Sequence, residues 1–198
     1  MYIAFEGMDG TGTTTHSREL FRFLVNKKIP VTYFQDGKSG LLDKVIAGMQ
    51  RGEIPVIHEA LALLYATDRL IAQRSLVEEV NAILISDRSV ISSWVYQSLN
   101  LPMSWVEEIN RFARVPDIVF LLEAPKDVIK RRLAKRPGDP ELFETDDMLH
   151  RVRNQYEKFK KSFEGCLFVI DTDRPFDIVS EEVLEILKGY WSYDTRTK

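Results

Sequence analysis

The chain has 198 residues, 44% of them hydrophobic and 29% charged, with a net charge of −3 and a pI near 5.7. That length suits one domain with its own core, and the mild acidity excludes a broad electrostatic footprint for nucleic acid. The single cysteine, Cys166, excludes a disulfide framework, no apolar run approaches the ~20 residues of a membrane span, and MYIAFEG carries no basic leader, so a cytoplasmic protein with neither nucleic-acid nor membrane partner is expected.

Five short apolar runs, Tyr2–Phe5, Val31–Phe34, Ala82–Ser86, Ile118–Leu122 and Leu167–Ile170, read as strands buried on both faces. Between and after them, helical periodicity predicts helices over residues 14–26, 40–51, 56–80, 89–99, 103–113, 125–136, 145–163 and 176–190. Pro125 and Pro175 stand where a first helical turn tolerates proline. The alternation predicts one α/β domain over residues 1–198, a five-stranded parallel sheet with right-handed crossovers and helices on both faces. Ligands of such sheets bind beyond the carboxyl ends of the strands, so the strand-ending segments are the places to look for function.

The first of these, FEGMDGTGTTT, is almost the phosphate-binding pattern G-x-x-x-x-G-K-[ST]. Gly7 and Gly12 have its spacing and Thr14 stands where a magnesium-binding hydroxyl belongs, but Thr13 replaces the lysine. Backbone N–H groups from Gly7 through Met8, Asp9, Gly10, Thr11, Gly12, Thr13, Thr14 and Thr15 could still cradle phosphates at the start of a helix. A dinucleotide fingerprint is the rival reading: Gly10-Thr11-Gly12 begins it, and Asp36 stands where its ribose-binding acid would be. That reading puts Thr15 where close packing wants glycine and leaves Gly7 and Thr14 unexplained. In phosphoryl transfer, catalysis is mostly positioning and charge neutralisation, so a chain without the loop lysine needs a cation from elsewhere.

Further along the chain, FQDGKSG follows the second strand and offers Lys38 as one such cation. The next helix carries LLYATDR, in which Tyr65 and Arg69 share a face at i and i+4; an aromatic face suits a flat base and an arginine suits a base carbonyl edge. After the third strand comes DRSVISSWVYQ, where Arg88 at a strand end could hold a phosphate bidentately. KDVIKRRLAKRPGDPELFE then places Arg132, Lys135 and Arg136 on a basic helix that breaks at Pro137-Gly138. DTDRP, with Arg174, ends the last strand.

Taken together, FEGMDGTGTTT, LLYATDR and DRSVISSWVYQ resemble the thymidylate kinase family of P-loop nucleoside monophosphate kinases, over nearly the whole chain. The resemblance implies a P-loop NTPase-type fold, ATP and Mg2+ as cofactors, dTMP as the small-molecule substrate, dTDP as product and a homodimer. It implies that Asp9 meets the 3′-hydroxyl and helps organise magnesium, and that Thr14 and Asp87 serve the metal. It places Phe34 beside the monophosphate, Tyr65 on the thymine face, Arg69 on its carbonyl edge and Arg88 on the acceptor phosphate. Ser93 and Gln97 would face the base, Tyr96 would crowd the 2′ position, and Arg174 would lie near the adenine. It makes residues 136–145 or so a lid and Arg132, Lys135 and Arg136 its catalytic cations, because Gly10 stands where other members carry a loop arginine. The chain departs from the family pattern at Thr13, at Gln35, at Ser89, and at Leu142, where the lid usually has arginine. A catalytically silent nucleotide-binding homologue, or a kinase of another nucleoside or nucleoside monophosphate, stays open.

Overall fold

The computed structural model describes residues 1–38, 40–76, 82–136 and 142–194. Within them five strands form one parallel sheet in the order β2-β3-β1-β4-β5. The strands are β1 (Tyr2–Gly7), β2 (Val31–Gln35), β3 (Ile83–Asp87), β4 (Ile118–Glu123) and β5 (Cys166–Asp171). Each apolar run continues one residue or more into the polar segment after it, so Gly7, Gln35, Asp87, Glu123 and Asp171 end the strands.

The helices are α1 (Thr13–Asn26), α2 (Asp43–Gln50), α3 (His58–Leu76), α4 (Val90–Tyr96), α5 (Met103–Ile109), α6 (Lys126–Leu133), α7 (Asp146–Ser162) and α8 (Phe176–Asp194). A short 3-10 turn, Gln97–Leu99, finishes α4. The order of elements is the predicted one. Several helices are shorter than their periodicity predicts: α2 starts at Asp43, after the Gly40 turn, and α5 stops at Ile109. The predicted end of α3 at residue 80 and the Pro137-Gly138 break lie outside the described residues.

Period-two alternation divides the core between the two faces of the sheet. Val119 and Leu121 of β4 pack with α4, α6 and α7 through Ile91, Val95, Ile129, Val152 and Tyr156. Ile118, Phe120 and Leu122 point the other way, onto Leu20 and Leu24 of α1 and Val179 and Val183 of α8. Burial on both sides explains why the strands read as continuous apolar runs. The central pair β1 and β3 lies in register with Phe5 opposite Asp87, so the loop leaving β1 and the segment leaving β3 emerge side by side.

Candidate active site

The β1–α1 loop has the geometry of a phosphate cradle. At Gly7, with φ +150°, a Cβ would sit 2.4 Å from the Leu122 carbonyl oxygen, so no other residue fits. Gly10 and Gly12 also have positive φ, and Gly12 caps α1. Thr11 closes the turn onto the Met8 carbonyl through both its N–H (3.1 Å) and its hydroxyl (2.7 Å). The first N–H groups of α1 have no partner within the helix, which leaves them for a ligand. Met8 turns its side chain into the core, so only its backbone faces the loop.

Two clefts meet at this loop. One is lined by residues of Gly10–His16 together with Arg132, Thr172, Arg174 and Phe176. The other is lined by Gln35, Asp36, Lys38, Tyr65, Arg69, Ser93, Tyr96, Gln97 and Phe143. Asp9, Thr13, Thr14, Arg88 and Arg136 line both. The residues at the junction therefore face donor-side and acceptor-side space at once.

At the junction, Thr14 donates its hydroxyl to Asp87 Oδ2 at 2.5 Å, while the buried Asp87 Oδ1 has no partner. A hydroxyl beside a carboxylate with an orphaned oxygen fits a Mg2+ whose remaining ligands are phosphates and water. Among the described residues no three His, Cys, Asp or Glu side chains converge, and such a metal needs no such cluster. Arg88 leaves β3 in a left-handed backbone conformation, φ +73°. Its Nη2 donates to Asp9 Oδ1 at 2.7 Å and its Nη1 to the Tyr156 hydroxyl at 3.1 Å. The Asp9 carboxylate neighbours this guanidinium across the gap between the two strand ends.

Behind this pair lies a buried polar network. Glu6 is fully buried and accepts from the Ser89, Ser92 and Tyr156 hydroxyls at 2.7, 2.7 and 3.1 Å. Burial pushes its carboxyl up, and Arg88 opposes the rise. The Tyr156 hydroxyl also lies 2.9 Å from the Gly7 carbonyl oxygen and accepts the Gly7 N–H at 3.2 Å. Burial raises both Tyr96 and Tyr156 well above the usual phenol range, so both act as neutral hydroxyls.

On the acceptor side, Tyr65 packs across Gly37, where a Cβ would come within 2.5 Å of its ring, and accepts from Gln50 at 2.6 Å. Tyr96 stands edge-on to Phe143 at 5.0 Å. Ser93 accepts from Arg69, and the buried Gln97 side-chain oxygen has no partner. Arg69 differs most from expectation. It is fully buried and clasped by Asp36, Nε to Oδ1 at 2.9 Å and Nη2 to Oδ2 at 2.6 Å, so the thymine edge is not its main partner. Phe34 is a correction: its ring packs on Tyr2 in the core, because strand alternation turns it away from the cleft and gives that wall to Gln35. Lys38 lines the cleft from an exposed turn.

The basic segment splits in role, because α6 ends at Leu133, short of the predicted residue 136, and leaves Lys135 and Arg136 beyond the helix. Arg132 reaches back to the Gly10 carbonyl at 3.2 Å and to Thr172, hydroxyl and carbonyl, at 3.2 and 2.7 Å, tying the loop to the end of β5. Arg136 pairs with the nearly buried Glu144 and lines both clefts. Lys135 is exposed and lines neither. Leu142, at the position of the family's lid arginine, packs against the apolar cluster of Ile46, Met49 and Leu61, so it supplies no charge. Arg174 donates to the Asp171 carbonyl and pairs with Glu182 at the rim of the donor cleft.

Comparison with known proteins agrees with this geometry. The family model described as thymidylate kinase matches residues 5–183. A probable thymidylate kinase of Methanocaldococcus jannaschii is 32% identical over 192 residues, covering 96% of each chain. A putative thymidylate kinase of Treponema pallidum is 29% identical over 202 residues, covering 96% of this chain and 95% of that one. The solved structure of Candida albicans thymidylate kinase superposes with a TM-score of 0.79 at 18% identity, covering 96% of this chain and 91% of that one, which supports the fold. Matched by the family model over most of its length, and by a relative almost a third identical end to end, the chain belongs to the thymidylate kinase family.

Proposed function

We propose that the chain transfers the γ-phosphoryl group of ATP to dTMP with Mg2+, giving dTDP and ADP, despite the threonine at position 13. The observation that carries this reading is the junction itself. Thr14 and Asp87 stand on one side, Asp9 and Arg88 on the other; Thr14, Asp9 and Arg88 border both clefts, and Asp87 borders the acceptor cleft. A bound Mg2+ would be served by Thr14 and Asp87, and its chemistry is to offset charge on the phosphates. The amides of residues 9–14 hold the donor phosphates and Arg88 holds the acceptor phosphate. No general base is needed, because the acceptor phosphate is already an anionic nucleophile. The residues' task is alignment, charge neutralisation and exclusion of water.

Arg136 is the cation we assign to the transferring group, since it carries a positive charge and lines both clefts. Arg132, held by the loop and Thr172, positions the donor instead. Residues 1–198 act as one kinase domain with a lid over residues 136–145 or so, in the cytoplasm, as a homodimer. Exposed Leu63 and Ile71, eight residues apart on α3, support such pairing. Turnover with each nucleoside monophosphate, with ATP and with GTP, tests the reading. Preference for dTMP is expected, and absence of dTMP-dependent ADP release overturns it.

A further inference from the structure

The acceptor cleft holds an ion pair that the assigned roles do not use. Asp36 and Arg69 have side chains 1% and 0% exposed, and Asp36 lines the cleft. Asp36 itself is fixed by its backbone N–H on the Asp87 carbonyl, at 3.0 Å. A guanidinium has five N–H donors. On Arg69, Nε–H goes to Asp36 Oδ1, and the two Nη2 hydrogens serve Asp36 Oδ2 and Ser93 Oγ, with the Ser89 carbonyl a longer third acceptor at 3.5 Å. One Nη1 hydrogen goes to Asn110 Oδ1, whose amide is anchored in turn on the Val106 carbonyl at 2.8 Å. That leaves one Nη1–H. The same cleft contains the Gln97 amide, with its buried oxygen unpartnered.

We propose that Asp36 is a positioning residue that sets base selectivity, by restricting Arg69 to a single donor for the base. This rests on the reading that the cleft takes a nucleoside monophosphate. One donor from Arg69 and one acceptor from Gln97 match the adjacent C=O and N–H of a 4-keto pyrimidine. A 4-amino pyrimidine reverses that edge and meets donor with donor and acceptor with acceptor. A site whose buried polar groups are left unpaired rejects a substrate strongly, by about 10⁴–10⁵ in favourable cases. Asp36→Asn would set an NH2 group against the guanidinium hydrogens, so Arg69 would have to turn and its spare donors would no longer be limited.

The test is kcat and KM for dTMP and dCMP in the wild type, Asp36→Asn and the neutral pair Asp36→Asn with Arg69→Gln, each with its unfolding temperature. The wild type is expected to prefer dTMP by at least about a hundredfold in kcat/KM. Asp36→Asn should cut that ratio at least tenfold, mainly through a raised KM for dTMP, because the base lies away from the transferring phosphate. Merely structural support would lower both substrates alike, and an unchanged ratio in a folded variant overturns the proposal. If the single variant does not fold, the neutral pair carries the test, and selectivity retained there overturns it equally. Indifference of the wild type between dTMP and dCMP, in turnover or in thermal protection by the two nucleotides, also overturns it. Absence of turnover with tight, selective dTMP binding would instead count against the kinase reading and leave the role of Asp36 standing.

Discussion

Arg88 is held in a conformation that costs about 1–3 kcal/mol in a non-glycine residue, φ +73°, with its backbone N–H on the Phe5 carbonyl and its guanidinium on Asp9 and Tyr156. The strain places a guanidinium at the mouth of both clefts. Hydrogen bonds to charged groups contribute about 1.5–3 kcal/mol, so Arg88→Ala should lower kcat/KM for dTMP roughly ten- to a hundredfold, and unchanged dTMP kinetics would remove Arg88 from the acceptor site. Tyr96 has its ring fixed edge-on between Phe143 and Tyr156, at 5.0 and 6.2 Å, and a rigid ring is what exclusion of a 2′-hydroxyl requires. Tyr96→Phe should keep the preference for deoxyribonucleotides and Tyr96→Ala should lose it; equal use of ribo- and deoxy-substrates by the wild type would end the assignment. His16, stacked on Phe176 at 5.1 Å, has its pKa lowered to about 4, first by burial and then by Arg132. Its folded pKa lies below its unfolded value of 6.5, so the unfolded chain binds the extra proton between them. The contribution is present above pH 6.5 and is lost as pH falls through about 4. Melting temperature should drop across that window, and His16→Gln should flatten the drop; an identical slope in the variant would refute the linkage.

At the scale of elements, α7 holds the phosphate loop from behind through one hydroxyl. Tyr156 meets the Gly7 N–H, the Gly7 carbonyl, Glu6 and Arg88. Tyr156→Phe leaves these buried groups short of a partner, at about 1–3 kcal/mol. Thermal unfolding should fall by several degrees with a loss of turnover, and a variant as stable and active as the wild type would deny α7 that role. Nothing in the sequence marked Tyr156, because its spacing in α7 is that of any core aromatic. Asp36 was visible after β2, but its partner Arg69 lies 33 residues away, and only the pairing of β2 with β3 beside α3 brings them together. The element order, by contrast, was legible throughout, since burial on both sheet faces writes each strand as an unbroken apolar run. Phe34 was misplaced because strand membership does not tell which face a residue takes until the register is known. Arg132 and Arg136 were legible as basic residues near the loop, but not as separate in role: α6 ends at Leu133, so Arg132 stays on the helix and ties down the loop while Arg136, beyond it, borders both clefts.

For the molecule as a whole, the sheet order sets β1 and β3 side by side and delivers the glycine-rich loop, the Thr14–Asp87 pair and Arg88 to a single end of the sheet. The missing lysine then becomes a matter of which other element supplies charge, and Arg136, just past the end of α6, borders both clefts. An arginine brought to a transferring phosphoryl group is typically worth about 10³–10⁵ in rate. The most direct measurement is single-turnover transfer of labelled γ-phosphate from ATP to dTMP, with ATP affinity measured alongside, in the wild type, Arg136→Ala and Lys38→Ala. The account predicts labelled dTDP from the wild type, a rate at least roughly a hundredfold lower in Arg136→Ala with ATP affinity little changed, and a near-normal rate in Lys38→Ala. Wild-type protein that binds both nucleotides without forming dTDP, or an Arg136→Ala variant at the wild-type rate beside an inactive Lys38→Ala, would contradict it.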